Sequence, residues 1–448
     1  MTNLAASPLQ ATPTNALQGV IRAPGDKSIS HRALILSALS VGHSHIAGLL
    51  TAGDVTKTID ALRQCGVAIT TDGKGDCVVE GVGVVGLSEP SDVIDLGNSG
   101  TAARLLMGVV AGHPMKVIFT GDESLRSRPM GRVVAPLVQM GASVETARHG
   151  GLPALISGAV PPLPITYRLP VPSAQVKSAI LLAGLSAPGI TTVIESLPTR
   201  DHTENLLQAF GAEIKIEKSD GESHIALTGQ PELNAQDVIV PGDPSSAAFP
   251  LVAALITPDS KVVVQGIGMN ERRTGLFQCL LEMGANLEID PVKSACGEPV
   301  ADLTARTSTL KAIDVPAERA PCMIDEYPIL AAAAACADGA TVMHGLGELR
   351  IKESDRLTAV ASELSNCGVE ALMHGDTLTV IGVGPDNVPK GGGNIVTQRD
   401  HRIAMAFLTL GLAGKKPVTI DDGSIITSSY PGFVDDMTLL GAAIAAST

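Results

Sequence analysis

Tryptophan is absent from the 448 residues, and aromatic side chains of any kind make up only 2% of them. The core must therefore be closed with Ala, Leu, Ile and Val, and base stacking on aromatic platforms has little to work with. Positive charge is also short, with 32 Lys and Arg against 46 Asp and Glu, a formal charge of -14. Such a surface repels a polyanion. Nucleic acid is excluded as a partner on these grounds, and a small anionic substrate needs a local basic pocket. The seven cysteines, Cys65, Cys77, Cys279, Cys296, Cys322, Cys336 and Cys367, include no CxxC pair and are odd in number. That pattern fits buried free thiols in a reducing compartment. No run is long and apolar enough to span a bilayer. The opening MTNLAASPLQATPTNALQG has no basic flank, no apolar segment and no arginine, which argues against secretion and organelle import. A cytoplasmic protein with no membrane partner is expected.

What is present is repetition. One phrase recurs six times: LRQCGVAI, LVQMGASVE, LQAFGAEIKI, LLEMGANLEI, LSNCGVEAL and LLGAAI, around Gly66, Gly141, Gly211, Gly284, Gly368 and Gly441. The intervals are 75, 70, 73, 84 and 73 residues. Each copy reads as an amphipathic helix stopped by a C′ glycine and followed by a strand. An Ala/Leu-rich helix recurs in phase with it, beginning near Ser28, Ser99, Ser173, Ser245, Glu326 and Asp400. Helical solenoids have shorter periods and propeller blades lack helices. The simpler division is α/β, with two domains of three units each. APGDKSIS at Ala23 and VPGDPSSAA at Val240 announce the halves alike. The expected domains are therefore 24–240, and 1–23 with 241–448.

Candidate sites cluster at helix starts. Gly25 to Arg32 combines a turn glycine, hydroxyls and the cations Lys27 and Arg32 on the first turn of a helix. Cations are unfavourable at that positive end unless an anion sits between them. The plainer reading is a capped surface helix with basic neighbours. Repetition favours the anion, because Arg104 follows NSGTAA, Lys177 follows SAQV, and Arg402 follows Asp400 and His401. Arg126, Arg128 and Arg132 lie in ESLRSRPMGR, and Arg200 lies in TRDHTE; a guanidinium fork suits a carboxylate or phosphate. Two starts carry acid instead: Asp325 and Glu326 before YPILAAAAACA, and Glu353 and Asp355 among Arg350, Lys352 and Arg356. An exposed ion-paired segment is the plainer reading of IKESDR.

Other patterns carry less. GVGVVG from Gly81 matches a dinucleotide fingerprint but leads into LSEPSD, where Pro90 opposes the required helix, so it reads as a turn. There is no GxxxxGK[ST] or GxSxG motif. His43, His45, His149, His202 and His344 lack metal-ligand spacing. Cys322, near Asp325, reads as a small buried thiol rather than a nucleophile.

Taken together, PGDKSISHR, GNSGTAAR, RPMGR, PSAQVKSA, TRDHT, IDEYP, IKESDR and DHRIAMAF resemble the EPSP synthase (5-enolpyruvylshikimate-3-phosphate synthase) family along essentially the whole chain. The wording is similar to its bacterial class II branch. The resemblance implies the two-domain enolpyruvyl transferase fold, with six βαβαββ-like repeats and helix N-termini directed toward an interdomain cleft. It implies transfer of the enolpyruvyl group of phosphoenolpyruvate (PEP) to the 5-hydroxyl of shikimate 3-phosphate, with release of phosphate through a tetrahedral intermediate. Lys27, Ser28, Arg32, Ser173, Ala174, Gln175 and Lys352 would hold shikimate 3-phosphate, with Arg200 near its phosphate. Lys27, Gly100, Arg128, Gln175, Arg356 and Arg402 would hold PEP. Asp325 would accept the hydroxyl proton and also touch substrate, and Glu353 would protonate the PEP methylene, with Lys27 and His401 as further catalytic candidates. Glyphosate would occupy the PEP position as an inhibitor.

No cofactor or metal is called for, because PEP is already activated and the protein supplies orientation, charge neutralisation and proton transfer. A monomer is expected. One departure is Ser428 in ITSSYPGF, where many relatives carry lysine. Two alternatives stand beside this reading: the sister enolpyruvyl transferase acting on UDP-N-acetylglucosamine, and a non-catalytic anion-binding protein. The first has KN near its first helix and a reactive cysteine in a loop of its first domain, whereas this chain has KS and no cysteine from Ser124 to Gly131.

Overall fold

The computed structural model describes residues 8–291, 293–295 and 297–447. Cys296 and residues 1–7, the latter part of the expected second domain, lie outside the described residues. The repeat phrases become helices ended by glycine. Gly66, Gly141, Gly211, Gly284, Gly368 and Gly441 all take positive φ, between 73° and 99°, a conformation that costs a residue with a Cβ. At the first, the Gly66 N–H donates to the Arg63 carbonyl and the Val67 N–H to the Leu62 carbonyl. This double closure satisfies two carbonyls left open by the last helical turn. The same pair of bonds recurs at the other five.

The Ala/Leu-rich helices run over Lys27–Ala38, Gly100–Ala111, Ala174–Gly184, Pro244–Ile256, Tyr327–Ala335 and His401–Ala413, and nearly every residue in them is buried. A helix that is apolar on all sides belongs inside a core, and small side chains let it pack closely. A Cβ on Gly108 would stand 2.4 Å from the Ala179 carbonyl oxygen, so the second and third of these helices meet nearly backbone to backbone. Five of the six starts are capped by a side chain: Asp26, Ser99, Ser173, Asp243 and Asp400 each accept from a backbone N–H one to three residues into the helix.

Each sheet has one edge strand that pairs parallel to its neighbour and three strands that continue antiparallel, and in five of the six the parallel strand is the shortest. Ile94–Asp95 pairs with Lys116–Thr120, which pairs with Ala154–Ser157 and then Ser143–Thr146. Among the described residues there are six such sheets in all, one with an added strand at Lys293–Ala295. The chain forms two compact units: Gly25–Val240 with Ser294–Glu298, and the segment ending at Pro24 with Pro241–Lys293 and Pro299–Thr448. The early strands Leu9–Thr12 and Gln18–Arg22 complete sheets of the second of these units, and Val238–Ile239 completes the first sheet of the other. Each unit has its own apolar core.

Candidate active site

Within the Gly25–Val240 unit, three helix starts and one turn bear most of the expected substrate ligands. Lys27 opens its helix with Nζ 3.2 Å from Asp54 Oδ2. Ser28, the next residue, accepts from Arg32 Nη1 at its carbonyl (2.8 Å). Arg32 also donates to Thr203 Oγ1 (2.7 Å) and Ser178 Oγ (2.8 Å) and is buried. Gly100 opens the second helix. A Cβ there would lie 2.9 Å from Arg104 Nη1 and 3.0 Å from Arg128 Nη1, so two guanidinium ends border this backbone. Arg104 donates to Gln175 Oε1 (3.0 Å), and Gln175 Nε2 donates to Thr101 Oγ1 (3.0 Å). Arg128, at the end of the short helix Glu123–Ser127, donates to Asn98 Oδ1 and Ser124 Oγ. Ser173 caps the third helix and Ala174 is its first residue. Arg200 lies just before the helix His202–Ala209, after buried Thr199.

One expectation is corrected. Lys177 does not join the helix-start cations: it is 0% exposed, 2.7 Å from Glu204 and 3.1 Å from Glu195. At 100° per residue, Lys177 points about 200° away from Gln175 on the same helix, so one side chain turns inward where the other meets Arg104. Burial alone would lower the Lys177 pKa, but the two glutamates more than reverse it.

In the other unit the acids converge on one guanidinium. Arg356, 0% exposed at the start of the helix Arg356–Asn366, donates through Nη1 to Asp325 Oδ1 (3.1 Å), through Nη2 to Glu353, and through Nε to Asp400 Oδ2 (2.7 Å). Lys352 Nζ lies 3.5 Å from Asp325 Oδ1, and Arg402 donates to the Asp325 carbonyl (3.2 Å). Burial opposes the charge of Arg356, yet Asp400, Glu353 and Asp325 raise its pKa further. Asp400 is held below the usual carboxylate range because Arg356 outweighs its burial. His401 is the buried first residue of its helix. The IKESDR segment divides: Asp355 pairs near the surface with Arg350, the residue just before the segment, and Arg356 goes inside. Ser428 donates its hydroxyl to the Ile425 carbonyl.

Sequence reasoning missed Asp54, Asn98 and Thr101 as partners of site residues, and saw Asp400, which also accepts from Ser354 Oγ (3.0 Å), only as a neighbour of Arg402. Asp400 had a legible signal, an acid in the capping position before two basic residues. The six described cysteines are free; Cys65, Cys77, Cys279 and Cys367 are buried as expected, but Cys322 and Cys336 are only partly so. Among the described residues no helix is long and apolar enough to cross a membrane.

The six repeats in two units form the enolpyruvyl transferase fold. NikO, an enolpyruvyl transferase from Streptomyces tendae, shares the fold at 20% identity with a TM-score of 0.78, over 99% of this chain and 100% of its own. An EPSP synthase structure from Acinetobacter baumannii matches with a TM-score of 0.88 and 40% identity, over 99% and 100% of the two chains. The 3-phosphoshikimate 1-carboxyvinyltransferase of Rhodospirillum rubrum is 58% identical over 442 residues, 98% of each chain. Residues 11–437 match the EPSP synthase (3-phosphoshikimate 1-carboxyvinyltransferase) family, and the chain belongs to it. Its activity is the enolpyruvyl transfer of the shikimate pathway, and its substrates are shikimate 3-phosphate and PEP.

Proposed function

We propose that Asp325 and Glu353 carry the two proton transfers of this reaction, and that the basic helix starts hold its anions. The observation that carries the reading is the convergence of Asp325 and Glu353 on the single buried guanidinium of Arg356, which sets a proton acceptor and a proton donor at a fixed spacing. Asp325 takes the proton of the 5-hydroxyl as its oxygen bonds to C2 of PEP, and Glu353 gives a proton to the methylene carbon. The product is a tetrahedral ketal. Loss of phosphate and removal of a methyl proton then restore the enol ether. His401 opens the adjoining helix and stands as the alternative proton carrier.

Lys27, Ser28, Arg32, Ser173, Ala174, Gln175 and Lys352 recognise shikimate 3-phosphate, with Arg200 at its phosphate. Lys27, Gly100, Arg128, Gln175, Arg356 and Arg402 recognise PEP, and glyphosate competes there. The supporting observation is electrostatic: Lys27, Arg356 and Arg402 stand at the first or second position of their helices, where backbone N–H groups add to their field and an anion is stabilised. The enzyme acts as a monomer in the cytoplasm, its two domains divided at 24 and 240.

Asp325→Asn and Glu353→Gln should each lower turnover by about a hundredfold or more, since a placed proton-transfer group is worth roughly 10² to 10⁴. Calorimetric affinity for shikimate 3-phosphate should change far less. Near-normal turnover in both variants would remove the assignment.

A further inference from the structure

Arg200 follows a residue that is clamped at its backbone and its side chain. The Thr199 N–H donates to Glu195 Oε1 (3.3 Å), its Oγ1 donates to Glu195 Oε2 (2.8 Å), and its carbonyl accepts from Lys177 Nζ (3.5 Å). Lys177 Nζ also reaches Glu204 Oε1 at 2.7 Å. Lys177, Glu195, Thr199 and Glu204 are all buried, and Glu204 Oε2 has no hydrogen-bond partner.

Placing an ammonium and two carboxylates in a core is costly, and an apolar plug would fill the space at lower cost. What the charged set supplies, and a plug cannot, is directional bonds to Thr199. The charged set as a whole, with Glu204 paired to Lys177, ties together three elements. Lys177 belongs to the helix that starts with Ala174 and Gln175, Glu195 ends the strand Ile190–Glu195, and Glu204 lies on the helix His202–Ala209. A second bridge joins the same two helices, Ser178 Oγ to Thr203 Oγ1 at 2.7 Å. The Arg200 backbone is thereby held at a set distance from the Ser173–Gln175 helix start.

We propose that Thr199, Glu195 and Lys177 are positioning residues that fix Arg200 against the phosphate of shikimate 3-phosphate. This rests on the reading that Arg200 meets that phosphate. The three residues act through Arg200 and touch no reacting atom, so their removal should weaken one substrate and spare the chemistry.

The test is steady-state kinetics on Thr199→Val, which keeps the shape and removes the hydroxyl, combined with Arg200→Ala in a double-mutant cycle. Thr199→Val should raise KM for shikimate 3-phosphate about tenfold, as loss of one buried hydrogen bond allows. KM for PEP and kcat should stay within about twofold, and Thr199→Ser should restore the parent value. In the Arg200→Ala background, Thr199→Val should add nothing. Full additivity in the cycle, or an equal rise in both KM values, overturns the proposal and leaves Thr199 a purely structural residue. If Thr199→Val fails to fold, Glu195→Gln carries the same cycle with the same expected split. If Arg200→Ala alone leaves KM for shikimate 3-phosphate unchanged, the placement of Arg200 fails first and the proposal falls with it.

Discussion

The chain contains nearly the same helix start twice, and the two copies are put to opposite use. Ala23–Arg32 reads APGDKSISHR and Val240–Phe249 reads VPGDPSSAAF. Both keep the turn glycine and the capping aspartate: Asp26 accepts from the Ile29 N–H (2.9 Å), and Asp243 accepts from the Ser245 N–H (2.8 Å). Where the first has Lys27, His31 and Arg32, the second has Pro244, Ala248 and Phe249. Proline at the first helical position suits a helix that needs no donor there, and Phe249 packs edge-on against Phe433. The cation of the second copy comes from elsewhere. Arg273 donates to Asp243 Oδ1 (3.0 Å) and Ser245 Oγ (2.9 Å), and Ser245 donates to buried Glu326. One start carries positive charge on its own first turns, at the end of the helix where only an anion makes that favourable. The other closes into an internal ion pair and serves the core. A shared turn and cap therefore say where a helix begins; the next few residues decide whether it carries charge of its own.

The largest expected effect breaks the two copies apart by substitution. Lys27→Met should lower kcat/KM by at least about a hundredfold, the scale of losing a charged group aimed at a transition-state anion, with the melting temperature nearly unchanged. Arg273→Met should do the reverse, costing about 3 to 5 kcal/mol through a buried pair stripped of one partner, while KM for both substrates stays put. Thermal melts and kinetics on the same two preparations decide it. If Arg273→Met weakens substrate binding in a protein that remains folded, the second copy is also a binding site and the contrast is wrong.

How much of this was readable in advance follows the range of the interactions. The six helix-stopping glycines, the caps at Asp26 and Asp400 and the division into repeats depend on neighbours a few residues apart, and local sequence carries that information. The inward turn of Lys177 depended on Glu195 and Glu204, 18 and 27 residues away on other elements, and nothing near Lys177 marks it as different from Arg104. Arg104, by contrast, stands four residues after Gly100 on the same helix face and donates to its carbonyl (3.1 Å), a spacing that helix geometry alone requires. The gathering of Asp325, Glu353 and Asp400 around Arg356 joins pieces of two successive repeats. The sequence showed the acids and the cations but not which arginine they share.

A smaller effect, on selectivity, sharpens the reading of the cationic side. The second helix start, at Gly100, has its open position filled by the ends of Arg104 and Arg128. Gly100→Ala places a methyl group within about 3 Å of both, so the guanidinium groups must shift by a few tenths of an ångström. Glyphosate is longer than PEP and depends more on that space. Its inhibition constant should rise at least about tenfold more than KM for PEP, a difference of about 1.4 kcal/mol. Equal factors for the two ligands would mean that the methyl acts only by displacing the arginines, and Gly100 would lose its place against the PEP site.

The smallest effect concerns His31, the residue for which the second copy has Ala248. His31 is buried with Nδ1 2.7 Å from Thr58 Oγ1, and its pKa is pushed well below 6.5 by burial first and then by Lys27 and Arg32. The sign follows from proton counting. The unfolded chain binds the His31 proton near pH 6.5 and the folded chain does not, so between the two pKa values unfolding takes up a proton. The stability tied to a neutral His31 is complete above about pH 6.5 and declines as the pH falls below it, by at most about 1.4 kcal/mol per pH unit. For a unit of this size that amounts to at most roughly 3 to 6 °C of melting temperature per pH unit. His113, also buried with a lowered pKa, adds its own slope, so the informative quantity is a difference. His31→Gln should flatten the fall in melting temperature between pH 7 and pH 5 relative to the parent, while Ala248→Gly, at the matching position of the other start, should shift the curve without changing its slope. Parallel curves for His31→Gln and the parent would mean that His31 takes up its proton inside the folded protein. The cationic helix start would then tolerate a third positive charge, and the argument that it is poised for an anion would gain nothing from its histidine.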